Sequence, residues 1–257
     1  MTALVCWCGV DSRGASSLNI TTDSRFSWPD KRVWNHGRKL SVRMGSAEIL
    51  AFAGDVTFAQ NVFLSMFQDH VTDATLSHGL EQLSKGYSNE QLRGTAVVLA
   101  RRIGSGMKAT FVVTAYEFKD RIWRVVKHAI PAKHSDVICS YGTGGRSAMR
   151  EARRWMEQDV SGRTSRSVFS GFCASLRLDA DPCTGAPPQL AGLYREGPAV
   201  EFGIVWDDAL FIAGQNPPPD MDLHRFEWRN ELLERCDPST MKLIVGAQPH
   251  ARPYKFR

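Results

Sequence analysis

The chain contains no unbroken apolar stretch longer than a handful of residues, whereas a membrane-spanning helix needs about 20. No transmembrane segment is therefore expected. The opening Met1-Thr2-Ala3-Leu4-Val5-Cys6 has no basic leader and no small-residue cleavage site, so no signal peptide is expected either. No CxxC occurs, and the six cysteines (6, 8, 139, 173, 183 and 236) are scattered. That spacing predicts reduced, mostly buried thiols in a cytoplasmic protein rather than a disulfide frame or zinc site. HExxH, GxSxG and Walker A sequences are all missing, and the seven histidines show no metal-ligand spacing, so no metal or cofactor is expected. A strong charge bias is absent too: 32 Lys plus Arg stand against 27 Asp plus Glu, a net +5. This small excess is spread along the chain and predicts no nucleic-acid partner.

What remains is an ordinary globular composition, 257 residues with 43% hydrophobic and 23% charged, enough for a substantial core. Residues 3–10 and 18–22 read as a β-hairpin across a polar turn at 11–17, with short strands near 38–44 and 48–53. At Gly54-Asp55 the apolar period changes from two to 3.6, predicting a helix over 55–71 and another over 76–88. Strands follow at 95–102, 108–117, 121–129 and 136–139, then helices from 145 to about 158 and over 164–179. Strands at 189–195, 199–206 and 209–213 complete the pattern. The triple proline at 217–219 precedes a short helix near 224–235 and a last strand over 241–245. The order predicts a layered α+β domain, mainly antiparallel, over 1–214, with 215–257 as a C-terminal appendage packed on it.

One chemical feature stands out: a strand begins at the second residue, and that residue is Thr2. If Met1 is removed, a free α-amine of pKa ~7.7–8.0 sits beside its own hydroxyl, one recognised way to activate a weak nucleophile. The feature is common by itself and gains force from six short motifs in order. Met-Thr-Ala-Leu-Val opens the chain, followed by Ile20-Thr21-Thr22-Asp23-Ser24-Arg25, Arg38-Lys39-Leu40, Leu50-Ala51-Phe52-Ala53-Gly54, Tyr141-Gly142-Thr143-Gly144-Gly145 and Asp181-Pro182-Cys183-Thr184-Gly185.

Together these motifs, over roughly residues 2–205, resemble the proteasome β-subunit and HslV-like family of N-terminal-threonine (Ntn) hydrolases. The resemblance implies a four-layer αββα sandwich of two mainly antiparallel sheets. It implies Thr2 as nucleophile, with Asp23 and Lys39 as a charged pair beneath it and Arg25 as a brace. Gly54 would present its N–H to the oxyanion. Thr143 and Thr184, where the family has Ser, would keep hydroxyls for the amine, and Asp181 would hold that network. A peptide or unfolded-protein substrate, a homo-oligomer (a ring by default) and an AAA+ unfoldase partner are implied as well. Two alternatives stay open: a catalytically silent assembly subunit and an Ntn amidohydrolase for small amides. Phe58, Leu64 and Met149 are expected as surplus apolar groups for subunit contacts.

Overall fold

The computed structural model describes residues 2–28, 30–67, 72–157, 162–178, 181–250 and 252. The strands are β1 (Leu4–Asp11), β2 (Gly14–Thr22), β3 (Phe26–Ser27), β4 (Val33–Trp34), β5 (Leu40–Val42), β6 (Glu48–Ala53), β7 (Ala96–Ile103), β8 (Thr110–Lys119), β9 (Ile122–His128), β10 (Asp136–Tyr141), β11 (Gln189–Tyr194), β12 (Val200–Glu201), β13 (Gly203–Trp206), β14 (Ala209–Ile212), β15 (Trp228–Arg229) and β16 (Arg235–Cys236). The helices are α1 (Val56–Met66), α2 (Asp73–Ser84), α3 (Asn89–Leu92), α4 (Gly145–Glu157) and α5 (Ser165–Arg177).

Alternation along β1 explains the layering. Leu4 and Cys6 point one way, into an apolar cluster with Leu18, Ile20, Leu40, Ala51, Ala53 and Val98. Ala3, Val5 and Trp7 point the other way, against Ala148, Ala152, Val168 and Phe172 of α4 and α5. A strand buried on both faces must be apolar at nearly every position, which is why residues 3–8 read as a continuous run. A third cluster joins Leu50, Phe52, Val97 and Leu99 to Phe58, Val62, Phe63 and Leu80 of α1 and α2. Three apolar seams between four layers give helix, sheet, sheet, helix, as expected from the resemblance. One sheet has the order β10-β1-β2-β11-β12 and the facing one β5-β6-β7-β8-β9, with every pair antiparallel.

Several expectations need correction. The polar turn is not 11–17: β2 begins at Gly14, and the extra length is absorbed by a register shift at Gly9/Val10. The helix expected near 224–235 is a 3-10 turn at Leu223–Arg225 followed by β15 and β16, because β13 offers an edge with which β15 pairs in parallel. Residues 241–245 supply only an isolated bridge, Cys236 to Leu243. The first helix is described only as far as Met66, and 68–71 lie outside the described residues. The second starts earlier than expected, at Asp73, where Thr72 and Thr75 form a reciprocal cap. All six cysteines are unbonded, and five of them are buried. Among the described residues no helix is long and apolar enough to cross a membrane.

Candidate active site

One rim of the sandwich gathers the ends of six strands. Thr2 lies immediately before β1, Asp23 just after β2, Lys39 just before β5, Gly54 just after β6, Tyr141 at the end of β10 and Gln189 at the head of β11. Antiparallel register brings them together: Leu4 faces both Thr22 and Tyr141, and Thr22 faces Gln189.

Asp23 and Lys39 form a fully buried ion pair, with Lys39 Nζ donating to Asp23 Oδ1 at 2.8 Å. The same oxygen accepts the Ala3 N–H at 2.9 Å, so a single carboxylate atom separates the Lys39 ammonium from the peptide that follows Thr2. Asp23 Oδ2 accepts the N–H groups of Arg25 and Gly185, each at 3.1 Å. Burial pushes the Lys39 pKa below its ordinary value, while the charge and hydrogen bond of Asp23 oppose the shift. Thr2 is completely buried, and its Oγ1 makes no hydrogen bond to a described residue. A buried hydroxyl left without a partner beside an ion pair is an exception to the usual satisfaction of polar groups.

The Tyr141–Gly145 turn seats the start of β1. Gly144 N–H donates to the Thr2 carbonyl at 3.2 Å. Gly142 adopts φ +84, and a Cβ there would stand 1.9 Å from the same carbonyl oxygen; only glycine fits. Tyr141 donates its hydroxyl to Glu117 Oε1 at 2.7 Å, which ties this turn to β8 in the facing sheet. Gly54, at φ +130, is packed so closely on Thr95 that a Cβ would lie 2.3 Å from its hydroxyl oxygen. The next residue, Asp55, caps α1 by accepting the Phe58 N–H at 2.9 Å.

The 181–185 turn is held from two sides. Asp181 Oδ1 accepts the Cys183 N–H at 2.9 Å, and Thr184 donates its hydroxyl to the Asp181 carbonyl at 3.2 Å. Arg25 reaches across, its guanidinium donating to the carbonyls of Pro182 and Thr184 at 3.2 Å and to Asn35 Oδ1 at 3.0 Å. Asp181 is close enough for its charge to act on Lys39, and its buried Oδ2 has no hydrogen-bond partner among the described residues. Thr143 differs from the others: it sits at the exposed crest of its turn. Met1 lies outside the described residues.

Sequence reasoning missed Gln189. Its amide nitrogen donates to the carbonyls of Asp23 and Gly37 and to Ser24 Oγ, while its oxygen accepts the Lys39 N–H at 3.1 Å. One amide thus fixes both strands that carry the ion pair. Its only sequence signal is a lone polar residue heading the apolar run Gln189-Leu190-Ala191. Among the described residues no group of three His, Cys, Asp or Glu side chains is placed to hold a metal.

Two facing antiparallel sheets between helix pairs, with the first strand inside its sheet next to the edge strand β10, constitute the proteasome-like Ntn-hydrolase fold, and this chain has it. The chain is similar in structure to BPH of Thiobacillus denitrificans, solved in complex with epoxomicin, with a TM-score of 0.51 at 12% identity, over 76% of this chain and 100% of that one. It is also similar to the Gly-1 mutant of Anbu from Hyphomicrobium sp. strain MC1, with a TM-score of 0.52 at 12% identity, over 78% of this chain and 87% of that one. At these identities the likeness is one of fold. No family profile matches the sequence, and no curated protein does.

Proposed function

We propose that the chain is an N-terminal-threonine hydrolase that cleaves peptide bonds, working within a homo-oligomeric chamber. The observation that carries this reading is the buried Thr2 hydroxyl at the head of β1, without a hydrogen-bond partner among the described residues and next to the buried Lys39–Asp23 pair. Removal of Met1 frees the Thr2 amine. Thr2 Oγ1 then bonds to the amide carbon, and its proton passes to that amine; the positive field of Lys39 favours the alkoxide. Gly54 donates its N–H to the oxyanion, a contact typically worth ~10²–10³ in rate. Collapse breaks the C–N bond, the leaving amine takes the proton, and water hydrolyses the ester to restore Thr2. Thr184 and Asp181 hold the amine, and Arg25 braces their turn. The exposed crest position of Thr143 suits a contact with the amine or substrate. An unfoldase partner and an unfolded-protein substrate belong to the same reading.

Burial of Thr2 at 0% exposure favours a second reading, a catalytically silent subunit that keeps the fold. Intact mass of the mature protein, followed by labelling with a peptide epoxyketone, separates the two. The expected result is a mass starting at Thr2 and a label on Thr2, with Thr2→Ala folded, inactive and unlabelled. A retained Met1 and no label would establish the silent subunit, and labelling that survives in Thr2→Ala would rule out the nucleophile.

A further inference from the structure

Helix α4 is amphipathic, with Ala148, Ala152 and Trp155 packed inward. Its outer face carries Arg146, Arg150, Arg153 and Arg154 beside Met149. With Ser140 of β10 and Glu157 they line a groove of about 630 Å³. Arg150 and Arg154 lean on the buried carboxylate of Glu151, each at 3.5 Å. Arg146 and Arg153 make no ion pair among the described residues. A second, independent feature borders the same groove: β10 is the terminal strand of its sheet and pairs only with β1 among the described strands. Its outer edge therefore presents backbone donors and acceptors next to a row of guanidinium groups.

An edge strand is a template for a further strand. A second copy of this chain, joined edge to edge through β10, would bring two arginine rows together, and like charges at close range oppose that pairing. An incoming strand with acidic side chains gains what the copy loses, because guanidinium and carboxylate form strong charge-assisted hydrogen bonds. We propose that β10 and α4 form a docking groove for an extended acidic segment of a partner protein. The segment adds as a sixth strand to the sheet outside β10, and its alternate Glu or Asp side chains lie on Arg146, Arg150 and Arg153. Met149 gives the intervening apolar side chains a floor. This proposal is independent of the hydrolase reading, since neither the arginines nor Met149 and Ser140, which line the groove, belong to the Thr2 cluster.

The test uses the full chain and a fluorescent peptide of alternating Glu and Val, a pattern that places all the acids on one face of a strand. A control peptide has the same charge, with the valines replaced by proline so that it cannot add to a sheet. The Glu-Val peptide is expected to bind with an affinity that falls with salt and to slow hydrogen exchange across 136–141. Binding should weaken about tenfold or more, as for lost charged hydrogen bonds, in Arg150→Glu/Arg153→Glu and by a smaller factor in Arg153→Gln, which keeps the helix intact. No binding, equal binding of the proline control, or binding without protection of 136–141 would each overturn the proposal. So would a change of oligomeric state in folded Arg153→Gln, because a second copy would then own the groove.

Discussion

Lys39 is where burial and charge compete most openly. Removing its partner in Asp23→Asn leaves a buried ammonium uncompensated, a change that typically costs about 3–5 kcal/mol. If Thr2 is the nucleophile, Lys39→Met removes the field proposed to act on it and is expected to lose about 10²-fold or more in kcat/KM, at least as much as Asp23→Asn. Burial holds the Lys39 pKa below its ordinary value of 10.5. Between that lowered value and 10.5 the unfolded chain keeps a proton that the folded chain has released. Stability should therefore rise with pH across this alkaline window. Urea titrations at several pH values should show the rise in wild type and a flatter profile in Lys39→Met. A fully active Lys39→Met enzyme, with the pH slope unchanged, would reduce the residue to a packing element.

The turns, rather than the strands, decide how finely the site is built. Gly142→Ala would force a Cβ into the Thr2 carbonyl at positive φ, whereas Gly197, at φ +74, has open space around it. Both alanines pay for backbone handedness, roughly 1–2 kcal/mol. Only Gly142→Ala should also displace β1, seen as a larger fall in Tm and slower epoxyketone labelling; equal effects would mean that the turn does not seat Thr2. Such turns were legible in the sequence because glycine and acidic residues at fixed places carry a backbone requirement. Asp23, Lys39 and Gly54 were legible only as parts of the short motifs that carry the family resemblance, since a strand-end carboxylate or a single lysine has no local signal of its own. Gln189 was not legible at all, since a buried amide that ties three segments together has no local pattern. The C-terminal elements were misread for a related reason. Residues 224–235 carry a helix-like spacing, but the edge of β13 captures Trp228–Arg229 into a sheet, and tertiary pairing overrides local preference.

At the scale of the molecule, Leu64 is 68% exposed on α1, whereas Phe58, expected beside it as a surface contact, is wholly buried in the core. Leu64 remains as a candidate for subunit contacts, whereas Met149, half-buried, lines the α4 groove. Light scattering after size exclusion is expected to give a multiple of the 28.7 kDa chain mass. A monomer that still hydrolyses peptides would favour a small-amide hydrolase. The interior position of β1, between β10 and β2, also bears on synthesis. Its apolar run Leu4–Cys8 is made well before its neighbour β10, which pairs through residues 136–141, and before the helices that cover its other face, which begin at Gly145. Only β2 is available early, and a lone hairpin is marginal in water. The face of β1 that carries Ala3, Val5 and Trp7 therefore stays uncovered until α4 and α5 are made, a state prone to misassociation. Nascent chains truncated before residue 136 should engage holdase chaperones through this hairpin and release them once α4 and α5 have emerged.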